Sequence, residues 1–301
     1  MNNLTATFAL IFAMLIWASS FVALKAVMQE LNEFTVIFFR MLIASACFLY
    51  FIKSFLKYEF TKKDLKLIVL LAFFEPSLYF IFEIKALGYT SASQAGLMTS
   101  FMPILTAMLA GFFLKEIITK QLLVGAIFTI AGAVWLSLQS DASEFSPNPL
   151  LGNFLEFMAM LCGAGYTIVA RYLSNKFSAL FITALQSFIG AIFFFPFFVY
   201  EYITMPFHVS NEAIGWLLYL GVVVTLGGYG LYNYALTKIQ ASKAAMFINL
   251  IPIFTLILAY FILNEVLSTM ELIASAIIIF GVFISQIKKK SFIIKYKKQK
   301  C

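Results

Sequence analysis

The chain has 301 residues, of which 62% are hydrophobic and only 12% are charged, and its mean hydropathy is +0.95. Soluble domains carry roughly 25% charged residues, so this composition excludes a soluble globular protein. The net charge of +7 does not indicate a nucleic-acid-binding surface, because the lysines cluster beside apolar runs, with seven in the tail KKKSFIIKYKKQK and five between Lys53 and Lys66.

Ten apolar runs follow one another along the chain. A bilayer core of about 30 Å needs about 20 helical residues, and the runs match that length. They lie at about 6–28, 34–54, 65–87, 92–114, 120–138, 150–173, 178–202, 212–236, 242–263 and 270–287. The first run is long and lacks a basic flank, which indicates a retained span and not a cleaved signal peptide. The sequence therefore predicts an all-α integral membrane protein with ten transmembrane helices.

The basic residues divide the predicted loops into two sides. With both termini on the cytoplasmic side, 18 of the 21 basic residues face the cytoplasm, and the outer segments and spans keep only Lys25, Arg40 and Lys85. This agrees with the positive-inside rule. We expect a multi-pass protein of the cytoplasmic (inner) membrane with cytoplasmic N- and C-termini.

The chain contains an internal repeat. A shift of 149 positions aligns residues 86–132 with 235–281 without a gap, with 16 identities in 47 positions. Lysine does not follow the repeat: Lys238 and Lys243 match Tyr89 and Gln94, so each half carries lysine at its cytoplasmic end. Two halves of five spans each must enter the membrane from opposite sides. The pattern predicts repeats at 1–138 and 150–287, a linker at 139–149 and a basic cytoplasmic tail at 288–301.

At these residues the chain resembles the drug/metabolite transporter (DMT) superfamily, EamA-type. Each half carries the pattern AL…AS.A…P…T…LA.F.L.E, followed by an apolar helix that contains glycine. The resemblance implies a ten-helix bundle in which the first four helices of each half surround a central cavity, with the fifth and tenth helices outside. It implies transport of amino acids and other small metabolites, often outward, and it implies no cofactor. An inverted repeat typically places the substrate site near the membrane midplane.

The third span carries unusual charge. Glu75 lies about 18 Å below the outer end of this span at 1.5 Å per residue, and Pro76 follows it and removes a helical hydrogen bond. Glu75, Tyr79 and Glu83 are spaced by four and share one helix face. Two interpretations of Glu75 stay open: it binds an amino group or a proton, or it is a structural, hydrogen-bonded glutamate.

Other polar side chains in the spans complete the candidate site. Amides must find partners in hydrocarbon, and aromatic side chains can line a cavity or pack. The predicted substrate- or proton-binding residues, with Glu75 and Tyr79, are Trp17, Tyr166, Gln186, Tyr229, Asn233 and Asn249.

Arg40, Glu83 and Glu156 lie at one depth near the outer side and form a predicted ion-pair cluster. The cluster is either an outer gate that opens or a permanent link between helices. Pro76, Pro103 and Pro252 are predicted helix kinks. Glu116 and Glu265, at matching ends of two spans, are predicted to pair with neighbouring helices.

The leading functional hypothesis is a facilitator or proton-linked exporter of small polar metabolites, above all amino acids, that works by alternating access. The alternative is an exchanger or importer of a larger cationic or nucleotide-like metabolite. An intramembrane enzyme is disfavoured because the spans hold no histidine and no nucleophile–base pair, and a scaffold would leave Glu75–Pro76 unexplained.

The single histidine, His208, and the cysteines Cys47, Cys162 and Cys301 predict no metal site. The predicted partners are a small-molecule substrate, the lipid bilayer and, as a candidate, protons, but no nucleic acid; a homodimer is left open.

Overall fold

The fold was determined as a computed structural model, which describes residues 2–114, 118–143, 146–205 and 209–286. The predicted roles of Glu116, His208 and the 288–301 tail fall outside these residues. The described chain is helical, with no strand beyond one isolated bridge between Ser143 and Ser146. Its long helices are α1 Asn2–Val27, α2 Glu33–Leu49, α3 Lys62–Tyr89, α4 Ala92–Phe113, α5 Lys120–Gln139, α6 Pro149–Leu173, α7 Ala179–Thr204, α8 Asn211–Lys238, α9 Ala241–Leu263 and α10 Thr269–Gln286. A single turn, Ile52–Phe55, follows α2.

Eight of these helices are long and apolar enough to cross a membrane. Within the described residues, α2 has 17 residues and the apolar part of α10 covers Thr269–Ser285, so these two are shorter. Many large apolar side chains on the outer surface are exposed, as lipid-facing residues are. The chain is a multi-pass helical membrane protein.

Side-chain caps begin most of the helices. At α3, the Thr61 hydroxyl accepts from the Asp64 backbone N–H while Asp64 accepts from Thr61, a reciprocal capping box. Five further long helices begin with a single side-chain cap, in which the N-cap side chain accepts a hydrogen bond from a backbone N–H of the first turn. The capping residues are Ser91, Thr119, Asn148, Ser178 and Ser210. Short polar residues between the apolar runs therefore set where the helices begin.

The turns lie alternately at two ends of the bundle. The linker end holds the turns around 28–32, 90–91, 140–148 and 264–268. The basic end holds the turns around 50–61, 174–178 and 239–240 with most of the described lysines. Hydrogen bonds join turns within each end, for example from the Asn148 N–H to the Tyr89 carbonyl at the linker end (3.1 Å).

Each helix packs against helices from the other part of the chain. The main pairs are α5 with α10, α2 with α7, α4 with α9, α3 with α6, α1 with α8, α1 with α9, and α4 with α6. The core therefore consists largely of side chains from helices that are distant in sequence, and it surrounds the middle of α3.

Helix α2 lacks a side-chain cap of its own and is capped by Glu201 of α7. The Glu201 carboxylate accepts from the backbone N–H groups of Phe34 (3.1 Å) and Thr35 (2.7 Å) and from the Thr35 hydroxyl (2.8 Å). Glu201 is only 5% exposed. Its negative charge lies at the positive end of the α2 dipole.

We expect Glu201→Ala to lower stability by about 2 kcal/mol, because hydrogen bonds to a charged group are worth roughly 1.5–3 kcal/mol and the donors lose their partner. The apparent melting temperature of the purified protein in detergent measures this. Glu59→Ala, at an exposed glutamate, is the control and should leave the melting temperature unchanged. Equal melting of both variants would contradict the capping role.

Candidate functional site

Helix α3 is broken at Glu75. The α-helix Lys62–Ala72 gives way to a wide turn over Phe73–Leu78, and a second α-helix, Tyr79–Tyr89, completes α3. Within this turn Glu75 has extended backbone angles (φ −152°, ψ 123°), and the Glu75–Pro76 peptide is cis. The missing N–H of proline and the interruption direct polar groups toward the centre of the bundle. The Glu75 residue is only 2% exposed.

A small central cavity lies beside this break. It has a volume of about 30 Å³, room for about two water molecules. Its polar side consists of Glu75, Tyr79, Glu83, Arg40, Tyr166 and Tyr229, and its remaining lining comes from Trp17, Ser20, Phe21, Thr99, Met102, Met160, Ile248 and Ile251. The lining therefore combines charged and hydroxyl groups with apolar side chains.

Glu75 is only partly satisfied. Tyr229 and Gln186 lie beside its carboxylate, and the Gln186 Nε2 atom has no hydrogen-bond partner in the described chain. The Glu75 Oε1 atom is buried and has no partner among the described groups either. Since an unpaired buried oxygen costs free energy, this atom is a candidate for binding a substrate donor or a proton.

Arg40 and Glu83 lie on the same cavity as Glu75, although the sequence analysis had placed them in a separate outer cluster. Arg40 Nη1 lies 3.7 Å from Glu83 Oε2, longer than a hydrogen bond, and both atoms lack a hydrogen-bond partner within the described residues. The Arg40 Nε donates to the Thr225 hydroxyl (2.9 Å), and the Tyr79 hydroxyl donates to Glu83 Oε1 (2.9 Å). The difference arises because long side chains on α2 and α3 extend along the bundle axis, so two turns of helix do not separate them.

Glu156 of α6, the third residue of the predicted cluster, is close enough to Glu83 for electrostatic interaction. It is fully buried, and it is not part of the cavity lining. It forms no ion pair in the described structure. Lys85, two residues from Glu83, faces away and pairs with Glu33 (2.5 Å).

Three of the predicted residues form a hydrogen-bonded layer behind the cavity wall. The Tyr166 hydroxyl donates to Gln186 Oε1 (3.1 Å) and accepts from Asn233 Nδ2 (2.8 Å). Asn233 Nδ2 also donates to the Thr183 hydroxyl (3.0 Å). The amides thus find protein partners, and Tyr166 connects this layer to the cavity. Gln186 and Asn233 orient the wall and do not line the space itself.

Trp17 packs in an aromatic cluster that lines the cavity. Its ring centroid lies 4.9 Å from that of Tyr229 and 4.9 Å from that of Tyr232. Gly228 makes room for the indole, since a Cβ at that position would lie 2.8 Å from Trp17 Nε1. This Nε1 donor is buried without a partner in the described structure. It is a fourth polar atom on the cavity without a hydrogen-bond partner among the described residues, with Glu75 Oε1, Arg40 Nη1 and Glu83 Oε2.

Asn249 lies outside the cavity lining. Its Nδ2 donates to the Met246 carbonyl (3.0 Å) within its own 3₁₀ turn, Met246–Asn249.

Pro252 follows that turn in the first turn of Leu250–Leu263. Pro103 is placed in the same way, just after the break between Ala92–Met98 and Phe101–Phe113. Both prolines therefore lie where their missing N–H breaks no helical hydrogen bond.

Four cavity residues that the sequence analysis did not single out could have been found from the repeat. The 149-residue shift pairs Thr99 with Ile248 and Met102 with Ile251, and all four line the cavity. They are mostly apolar, so a search for polar residues overlooked them. No group of three His, Cys, Asp or Glu side chains that could hold a metal ion occurs among the residues searched, which are those that the structure describes.

Both ends of the bundle are held by polar contacts. At the linker end, the Glu265 carboxylate accepts from the N–H groups of Ala92 (2.9 Å) and Ser93 (2.8 Å), so α4 is capped from the 264–268 turn. At the basic end, Lys176 pairs with Asp64 (2.5 Å). Arg171 also donates to the Leu236 carbonyl there. We refer to this arrangement, in which the contacts at both ends are formed, as the closed state.

Comparison with known proteins agrees with this architecture. The model of the EamA-like transporter family matches residues 4–138 and again 150–286. The chain is 31% identical over 283 residues to the uncharacterized transporter YetK of Bacillus subtilis, covering 92% of this chain and 86% of YetK. It is 29% identical over 278 residues to an uncharacterized transporter of Archaeoglobus fulgidus, covering 92% and 95% of the two chains.

More distant proteins share the fold. The WAT1-related protein At3g02690, chloroplastic, of Arabidopsis thaliana is 25% identical over 281 residues, covering 89% of this chain and 66% of that protein. A protein of known crystal structure superposes with a TM-score of 0.66 at 16% identity, covering 94% of this chain and 97% of its own, which shows the fold alone. From the two family matches and the full-length similarity to YetK, the chain belongs to the EamA-like transporter family.

Proposed function

We propose that this transporter is an exporter of small polar metabolites, with amino acids as the leading class, and that it works by alternating access. The observation that carries the proposal is the central cavity, where Glu75 Oε1 and Arg40 Nη1 are both buried without a hydrogen-bond partner within the described structure, and Arg40 lies 3.7 Å from Glu83. An acceptor and a donor of opposite charge that line one cavity fit the two charged groups of an amino acid.

The apolar lining supports a substrate with an apolar part. Met102, Met160 and Ile251 line the same cavity as the charged residues. In this arrangement Glu75 accepts from the substrate ammonium group, Arg40 donates to its carboxylate, and the side chain packs against the methionines. The cavity in this state has room for about two waters, so binding requires the helices around it to separate.

Packing symmetry supports a ten-span, inverted-repeat organisation with halves at 1–138 and 150–287. In such a repeat, α1 to α5 correspond to α6 to α10 in the same order. Exchanging each helix for its counterpart turns the α3–α6 contact into α8–α1, and it turns the α1–α9 contact into α6–α4; all four contacts are present. The pairs α5–α10, α2–α7 and α4–α9 convert into themselves. A pseudo-two-fold axis in the membrane plane gives this pattern, and transporters with such repeats alternate by rocking one half against the other.

The contacts at the two ends support the same cycle. Outward opening would separate Glu265 from α4, and inward opening would separate Lys176 from Asp64. We assign the basic end to the cytoplasm because lysine is concentrated there, which places the protein in the cytoplasmic membrane with its termini inside.

The alternative, a larger cationic or nucleotide-like substrate, fits the site less well. Phosphate groups are usually held by several basic side chains. Here Arg40 is the one basic residue of the cavity lining, and Glu75 and Glu83 share that lining. A phosphorylated metabolite is disfavoured by the excess of carboxylates in this lining.

The test compares metabolites in the growth medium of cells that express wild type, Glu75→Gln, Glu59→Gln or an empty vector. We expect wild type and the exposed-site control Glu59→Gln to enrich the same amino acids outside by several-fold over vector. Glu75→Gln, at equal expression, should fall to the vector level because the amide cannot balance a bound ammonium group. Mass spectrometry of the medium measures this.

Two results would contradict the proposal. Equal enrichment by wild type and Glu75→Gln would show that Glu75 is structural. No enrichment by wild type would remove the support for export, and uptake of the same compounds would then be measured in the same strains.

A further inference from the structure

Glu156 is a buried carboxyl group that the cavity and its substrate chemistry do not use. It lies on α6 with 0% exposure, and neither of its oxygens has a hydrogen-bond partner among the residues that the structure describes. An ionised carboxylate in such a place costs several kcal/mol unless it is paired and hydrogen-bonded. The predicted cluster with Arg40 and Glu83 does not explain how Glu156 could be ionised, because Glu156 forms no ion pair in the described structure.

The attractive groups nearby are engaged with Glu83 and not with Glu156. Arg40 faces Glu83 at 3.7 Å, donates to Thr225 and lies over the Phe80 ring at 4.6 Å. The Tyr79 hydroxyl also donates to Glu83. One guanidinium group cannot neutralise both carboxylates, and its position in this structure favours Glu83.

The groups near Glu156 offer it no ion pair within the described residues. Glu83 of α3 is close enough for electrostatic repulsion, and Tyr79 lies nearby. Helix α4, which packs along α6, has no ionisable residue between 92 and 113, and the basic residue of α5 is at its far end. Lys25 of α1 donates to the carbonyls of Leu87 and Thr90, and Lys243 of α9 lies near the 239–240 turn at the basic end.

We propose that Glu156 carries a proton in this closed state and is the proton-binding site of the transporter, separate from the substrate carboxylate Glu75. When the helices separate, the proton of the Glu156 carboxylic acid passes to water on the side to which the cavity opens. The Glu156 carboxylate takes up a proton from water when the cavity opens to the other side, and this restores the protonated closed state. This role in coupling rests on the proposed function, whereas the protonation of Glu156 does not.

Infrared spectroscopy of the purified full-length protein in liposomes tests the protonation directly, without any substrate. The carbonyl stretch of a protonated carboxylic acid is distinct from the bands of a carboxylate, and exposed glutamates are ionised at neutral pH. We expect wild type to show this band at neutral pH. Because Glu75 also has a buried oxygen without a partner among the described residues, the comparison is made in the Glu75→Gln variant. This variant should retain the band, its combination with Glu156→Gln should abolish the band, and its combination with Glu59→Gln should not.

Stability provides a second measurement. Glutamine resembles a neutral glutamic acid in shape, so Glu156→Gln should melt within about 2 °C of wild type at neutral pH, as small perturbations do. A carboxyl band that survives in Glu75→Gln/Glu156→Gln, or is absent from wild type, would overturn the proposal. So would a band lost in Glu75→Gln instead, or a large drop in melting temperature of Glu156→Gln, which would indicate an ionised and paired Glu156.

Discussion

Replacing Arg40 with methionine is expected to destabilise the protein by about 3–5 kcal/mol, because it removes the one cation that faces a buried carboxylate. Arg40 is 1% exposed and lies against Glu83, which is 3% exposed. Methionine preserves much of the side-chain volume, so the loss is electrostatic: the Glu83 charge stays buried, and the Thr225 hydroxyl loses its donor. The amount of folded protein recovered from membranes and its melting temperature in detergent measure this.

A double variant separates charge from packing. In Arg40→Met/Glu83→Gln both charges are absent, and we expect at least half of the lost stability to return. Breaking a buried pair costs more than replacing the pair by neutral groups. Glu83→Gln alone is the matched control. If the double variant melts as low as Arg40→Met, the arginine acts through its packing on Phe80 and its bond to Thr225 and not through Glu83.

Replacing Gly281 with leucine is expected to disrupt the contact between α5 and α10. A Cβ on Gly281 would lie 2.6 Å from the Thr129 backbone nitrogen and 2.7 Å from the Gly125 carbonyl oxygen. Because the obstructing atoms belong to the backbone, a rotamer change cannot relieve the clash and the helices must move apart. Overpacking of this kind costs roughly 1–3 kcal/mol or more. The substitution disturbs the packing of α5 against α10, one of the main helix pairs of the bundle.

Gly215 of α8 offers the matched control, since a Cβ there meets no atom within 4 Å. Gly215→Leu should keep or slightly raise the melting temperature, because leucine favours a helix more than glycine does. Fluorescence-detected size-exclusion chromatography after heating compares the two variants. If Gly281→Leu melts as wild type does, the close approach of α5 and α10 is not needed for the fold.

Charge placement and periodicity in the sequence were sufficient to predict several features of the site. The spacing of four between Glu75, Tyr79 and Glu83 predicted one helix face, and all three line the cavity. Pro76 predicted a break in α3, and the backbone is non-helical at Glu75. These predictions depend on residues close together in the chain, although the break at Glu75 means that it does not share one continuous helix with Tyr79 and Glu83.

Residues whose role depends on distant partners were harder to predict. Arg40 was expected in a cluster apart from Glu75, yet it lines the same cavity, and Asn249 was expected in the cavity but bonds within its own turn. Met160 is an ordinary apolar residue by sequence and lies on the cavity only because α6 packs across the break in α3. Which apolar side chains face a cavity is set by helix rotation and not by residue type.

The sequence alone determined that this chain is a helical membrane protein, roughly where its helices lie, and to which family it is similar. Those properties follow from length, hydropathy and residue identity, which act along the chain. Only the tertiary structure decided that Glu201 caps α2, that Arg40 faces Glu83, and that Glu156 is left without a partner among the described residues. The Glu201 and Arg40 contacts join residues more than 40 positions apart in the chain. Whether such contacts form depends on how the helices cross and how far the side chains reach, and no local sequence pattern specifies either.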